Sequence, residues 1–199
     1  MKTMHCKWST LALLAAAWCW SALAAPAKAQ ADAAKSIQQT VTRFENNLMA
    51  MAQAMPADKY SFAPSPEVFK AGSPAQFATV RTYGQELTHL CGMPFRLLAP
   101  FGVKTDVDYK SFESMTSKDD IIKALQSSFD YENKVIAAIT PENAFTPEGP
   151  RGATRVGTLL MMLNDDGDHY GQMVEYLRMN GIIPPSTERQ MHHEGMPHM

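Results

Sequence analysis

Cysteine is scarce in this 199-residue chain, with only Cys6, Cys19 and Cys91. The first two fall in a stretch read below as a cleaved leader. Cys91 then remains alone, which excludes an intramolecular disulfide as a source of stability. Basic clusters are also missing, which argues against nucleic acid or an anionic membrane surface as partner. No segment alternates apolar and polar residues for long enough to build a sheet, and no internal repeat is present. Long apolar runs are absent except near the start, where residues run apolar from Leu11 to about Leu23.

That single run belongs to a recognisable layout. Lys2 and Lys7 precede it, and the small-residue sites Ala22-Leu23-Ala24 and Ala27-Lys28-Ala29 follow. A charged start, a short apolar core and an Ala-x-Ala site describe a secretory signal peptide, here residues 1–29. The run is too short and alanine-rich to favour a membrane span. The expectation is therefore a periplasmic or secreted protein, free of the membrane after cleavage. Cleavage removes three lysines and no acid, so 15 basic residues face 20 acidic ones, a net charge of −5. The remainder suffices for one domain with one core.

Four amphipathic segments fill residues 30–188. The first runs from about Asp32 to Met55, with Ile37, Val41, Phe44, Leu48, Met51 and Met55 three or four apart. The second is expected from Ser73-Pro74, with Phe77, Val80, Tyr83, Leu87, Leu90 and Cys91 as its stripe and a kink or break where Pro94 intrudes. A third starts at Ser117 and carries Ile122, Leu125, Phe129, Ile136 and Ile139. The fourth spans about Gly152 to Asn180, with Val156, Leu159, Leu160, Leu163, Tyr170, Val174 and Leu177 as its apolar side. Gly181 and Pro184-Pro185 stop it. The pattern predicts an all-α, four-helix bundle, with the long 56–72 connection crossing one end.

The polar chemistry concentrates in the fourth segment. Asp165 and His169 are four apart, so both side chains lie on one helical face and can meet one ion. Gln172 and Tyr176 extend the strip, and His89 is the other histidine inside a predicted helix. Both histidines nevertheless lie far from their helices' apolar stripes. That suits a solvated face, or a cleft opposite the core. Gly167, costly by about 1 kcal/mol in a helix interior, suggests a close helix approach. Cys91 and Tyr170 lie on stripes and read as core, and Arg178 as a complement to the helix dipole.

The stretch "HYGQMVEYLRMNGIIPPS" (169–186) resembles the last helix of the DinB/YfiT-like superfamily. "YGQELTHLCG" resembles that family's second helix, and "MPADKYSFAPSPE" the loop after its first. The similarity runs in order from about residue 38 to 188. It implies an up-down-down-up bundle with a divalent cation, often nickel or zinc, on three histidines, often in a homodimer. Carried over, the ligands are His89, Asp165 and His169, with Asp165 standing where the family has histidine. Two histidines and a carboxylate can also hold zinc or non-haem iron. The implied activity is hydrolysis, or transfer of a low-molecular-weight thiol, on a small-molecule substrate contacted by Gln172 and Tyr176. A non-catalytic bundle binding a metal or small ligand, its site degenerate, is the alternative.

Residues 189–199 are expected to form a Met/His-rich disordered tail. Its His192, His193 and His198, with three methionines, form a second candidate ligand set, suited to copper. The leader makes the first testable expectation: exported protein should begin at Gln30, or at Ala25 if the earlier site is cut. N-terminal sequencing checks this, and an intact Met1 in the membrane fraction overturns it.

Overall fold

Helix ends are where side-chain chemistry acts most directly on this backbone, and the caps define the architecture. In the computed structural model the described residues are 34–68, 72 and 76–194. The expected leader and His198 lie outside them. Helix α1 covers 34–54, α2 Tyr83–Leu98, α3 Lys118–Ala137, α4 Arg155–Met179 and α5 Pro185–Glu194. Among the described residues there is no strand, and no helix is long and apolar enough to cross a membrane.

Three of the helix starts are capped by hydroxyls. Thr82 accepts from Gln85 N while the Gln85 side chain accepts from Thr82 N, a full capping box. Ser117 accepts from Asp120 N, and Thr154 from Gly157 N. Each such cap contributes about 1 kcal/mol. At the end of α4, Gly181 takes φ +70°, with Gly181 N bonded to Arg178 O and Ile182 N to Leu177 O. This is the Schellman arrangement, and only glycine adopts that φ without strain.

The second helix departs from expectation at its start. Residues 76–82 are not helical, and Val80 N instead bonds Phe77 O in a turn. The capping box at Thr82 defines the start, so Phe77 and Val80 leave the stripe. Helix α2 does not break at Pro94. An interior proline costs about 3 kcal/mol. The neighbouring Phe95 ring stacks on Tyr131 at 4.6 Å and Tyr109 at 5.5 Å and meets Phe112 edge-on at 5.9 Å. At about 0.5–1.5 kcal/mol per aromatic pair beyond area burial, these contacts offset most of that cost.

Helix α2 packs against both α3 and α4. Tyr83 Oη donates to Met51 O and ties α2 to α1. Lys118 Nζ donates to Gln53 O and Met55 O, satisfying carbonyls at the end of α1. The 56–68 connection folds back over this end, with Tyr83 N bonded to Phe62 O and Gly84 N to Tyr60 O. Cys91 is buried, and burial pushes its thiol up to about 12, as suits an inert core residue.

Residues 189–194 lie in α5, with Arg189 donating to Asn47 and Ser186 accepting from Tyr170 Oη. One other expectation is corrected. A Cβ on Gly167 would meet Phe44 at 3.8 Å, ordinary contact, so close helix approach does not require glycine there.

The bundle interior also carries acids. Glu132 on α3 is 3% exposed, and its Oε1 lacks a hydrogen-bond partner. Burial first, then Asp166 and Glu45, raise its carboxyl to about 8. Asp166 is raised to about 7, again chiefly by burial. A carboxyl raised on folding contributes stability below its unfolded pKa and loses it as pH rises through the folded value. Glu132→Gln removes that titration. The variant should therefore match the parent near pH 4 and exceed it by a few kcal/mol at pH 8.5, since one pKa unit is about 1.4 kcal/mol. Urea unfolding at the two pH values measures the gap, and a gap that does not grow with pH refutes it.

Candidate metal centre

Helices α2 and α4 bring His89, Asp165 and His169 together. One ligand atom from each lies within 4.8 Å of the others. Asp165 Oδ2 is 3.6 Å from His89 Nε2 and 3.4 Å from His169 Nε2. Both distances are long for a hydrogen bond, and this buried oxygen has no hydrogen-bond partner. Two ligands each about 2.1 Å from a tetrahedral ion stand about 3.4 Å apart. The spacing around Oδ2 thus fits a shared cation better than it fits hydrogen bonding. The imidazole rings sit 4.8 Å apart, centroid to centroid.

The placement of His169 decides between the two readings of the polar strip. It is 4% exposed, so the solvated-face reading fails for it. The interior face of α4 runs Val156, Leu159, Met162, Asp166, His169, Met173 and Tyr176. Leu160, expected in the stripe, is exposed, while Leu163, Tyr170 and Val174 are partly buried. The interior face is rotated from the expected stripe but keeps Val156, Leu159 and Leu177, because two of its positions are polar.

A residue outside the predicted set completes the site. Glu86 Oε2 lies 2.6 Å from His169 Nδ1, and Glu86 is itself 2% exposed. A carboxylate on Nδ1 holds that nitrogen protonated and leaves Nε2 free as the ligand, the usual support for metal-binding histidine. The available signal was spacing, since Glu86 precedes His89 by three and shares its helical face. This hydrogen bond raises the His169 pKa, against burial. His89 is lowered, first by burial and then by Arg81 and His169, with Asp165 opposing, so its neutral ligand form is favoured.

The remaining predicted residues divide. Tyr176 is buried, and its Oη donates to Arg81 O at the rim of the site. Gln172 instead donates to Asp168, one turn back along α4. Arg178, in the last turn of α4, pairs with Glu175 and reaches Thr187. His192 and His193 are exposed on α5 and do not join the cluster. A cleft of about 500 Å³ opens beside His89, bounded by Arg81, Gln85, Thr88 and Glu113.

No protein-family model matches the sequence, and no curated protein matches it. In three dimensions the chain is similar to a DinB-like protein from Bacillus cereus ATCC 10987 known from a crystal structure, with a TM-score of 0.60. The two are 17% identical over 76% of this chain and 95% of the other. The fold is therefore DinB-like and all-helical.

Glu86 gives this centre a direct test. Glu86→Gln keeps the shape but weakens the charge-assisted hold on His169 Nδ1–H. Zinc affinity should fall by about 10- to 100-fold, the usual effect of losing such a support, with the helical circular dichroism unchanged. Unaltered affinity would separate Glu86 from the site.

Proposed function

We propose that this protein is an exported, DinB-like, metal-dependent enzyme acting on a small molecule, as a hydrolase or as a small-thiol transferase. The observation that carries the reading is Asp165 Oδ2, buried without a hydrogen-bond partner between the Nε2 atoms of His89 and His169. Buried polar atoms in folded proteins are satisfied, so an orphan among histidine nitrogens points to a cation. The signal-like residues 1–29 support export. Exposed Leu160 and Met161 on α4 offer apolar surface for the proposed homodimer.

A divalent ion here, nickel, zinc or iron, would act as a Lewis acid that lowers the pKa of water or a thiol. The chain's residues prepare for it. Glu86 fixes the His169 tautomer, so Nε2 is aimed rather than free to rotate. Burial and Arg81 keep His89 neutral and able to donate its lone pair. Asp165 supplies the one formal negative charge among the three ligands. Three protein ligands leave positions for an incoming molecule, and the cleft beside His89 gives access. Tyr176 acts indirectly by bracing the Arg81 backbone.

The alternative, a non-catalytic binding bundle, draws support from Asp165 itself, which stands where the resemblance leads one to expect histidine. Calorimetric zinc titration tests the shared premise. His89→Ala and His169→Ala should each abolish tight binding, and the double variant should be little worse than either, because ligands act as a unit. Asp165→His should tighten binding by restoring three imidazoles at the same spacing. Solvated surface residues would instead leave zinc binding unchanged and shift stability by under about 0.5 kcal/mol. Metal-dependent turnover of ester, amide or thiol-acceptor probes then separates the enzyme from the binding bundle.

A further inference from the structure

The cleft beside His89 has a chemical character of its own. Its walls carry one cationic side chain, Arg81, and one acid, Glu113, with Gln85, Thr88 and Thr79 as neutral polar groups. At about 500 Å³ it falls within the range of small-molecule sites. Arg81 is 45% exposed, and its Nη1 stands 3.9 Å from Glu86 Oε2, outside hydrogen-bond range. Glu86 commits the same oxygen to His169. The Arg81 guanidinium thus forms a loose ion pair with Glu86 without a hydrogen bond to it, so its N–H donors can meet a further acceptor, while its backbone is fixed by Tyr176 Oη.

The rim is conformationally strained as well. Thr79 adopts φ +71°, a left-handed conformation that is an outlier for a β-branched residue. It occupies the turn closed by Val80 N and Phe77 O, immediately before Arg81. Such strain is of order 1–3 kcal/mol and persists where surrounding structure imposes it, commonly at ligand sites.

We infer that the cleft binds a small molecule through a single carboxylate, which Arg81 takes as a two-pronged hydrogen-bonded pair, directing the rest of the molecule toward His89. The inference rests on the proposed metal centre as the place of reaction and adds the substrate class. A carboxylate fits better than a phosphate. Glu113 is paired with Arg96 at 3.9 Å and Arg81 stands 3.9 Å from Glu86, so the positive charge left for an incoming anion matches one negative charge better than two. Arg81 is here a binding residue, and the Thr79 turn positions it.

The test compares N-acetylalanine with its uncharged twin N-acetylalaninamide, and with inorganic phosphate. Binding is followed by amide chemical shifts of the mature protein, metal-free and zinc-loaded, with zinc content measured separately. The acid should bind at least about 10-fold tighter than the amide, with shifts centred on Thr79–His89, and phosphate should bind more weakly than the acid. Arg81→Gln should erase the preference and Arg81→Lys should keep part of it. Where Arg81→Gln also lowers zinc content, the metal-free comparison decides. Equal binding of acid and amide, a preference that survives Arg81→Gln, or tighter binding of phosphate overturns the inference. A protein that takes up no zinc but keeps an Arg81-dependent preference overturns the metal reading instead and leaves the carboxylate site standing.

Discussion

The contact on which the rest of the site depends is the buried pair of Glu86 and His169, 2.6 Å apart and joining α2 to α4. Two polar groups this deeply buried are costly unless each satisfies the other. Once paired, they fix the distance between two helices and the rotation of each. Helix rotation carries His89 and Asp165 with it, since both lie within one turn of the pair. The pair also sets up a competition: with Nδ1–H held by Glu86, His169 Nε2 can accept either a proton or a cation. The raised His169 pKa shows that the surroundings attract positive charge. The lowered His89 pKa shows that a second proton there is resisted. With His89 kept neutral and His169 Nδ1–H held by Glu86, both Nε2 atoms and Asp165 could meet one shared cation.

Helix α4 takes on two polar tasks at adjacent positions. Asp165 faces α2 and the histidines, while the buried Asp166 shares the interior with Glu132 and Glu45. Adjacent residues on a helix are about 100° apart, so one helix can serve both environments without bending. Burial raises the carboxyls of Glu132 and Asp166, to about 8 and about 7, and protonation there lessens the cost of burying them. Asn133 secures Glu45 from the same side, donating at 2.6 Å, while Gln38 donates to Asn133 in turn. Stability in this bundle therefore rests on aromatic and aliphatic packing around α2, and the polar interior draws against it, as functional sites commonly do.

Most of the helix frame was legible because its signals are local. Ser117, Gly181 and the stripe of Ile37, Val41, Leu48, Met51 and Met55 act within a turn or two of themselves. Two of the signals that failed are non-local. His169 looked peripheral because periodicity counts only apolar residues, and its true face includes Asp166 and His169 itself. Glu86 carried little meaning alone, since its partner lies 83 positions away. The α2 start was misplaced because Ser73-Pro74 gave a plausible cap, while the capping box of Thr82 and Gln85 lay inside the predicted helix.

That last displacement bears on function. A helix running from residue 73 would have bonded the 76–82 backbone to itself. The observed turn instead places a left-handed Thr79 beside the cleft and leaves the Arg81 carbonyl for Tyr176. Helix α2 begins at Tyr83 with Thr82, the residue after Arg81, as its cap, so its first-turn amides and Arg81 bring positive potential to one end of the cleft. The other half of the site is the helix itself, whose Glu86 and His89 are held in register by the same capping box. A rigid helix carrying Glu86 and His89, preceded by an irregular rim carrying Arg81, is how the chain sets a fixed polar cluster beside an accessible edge.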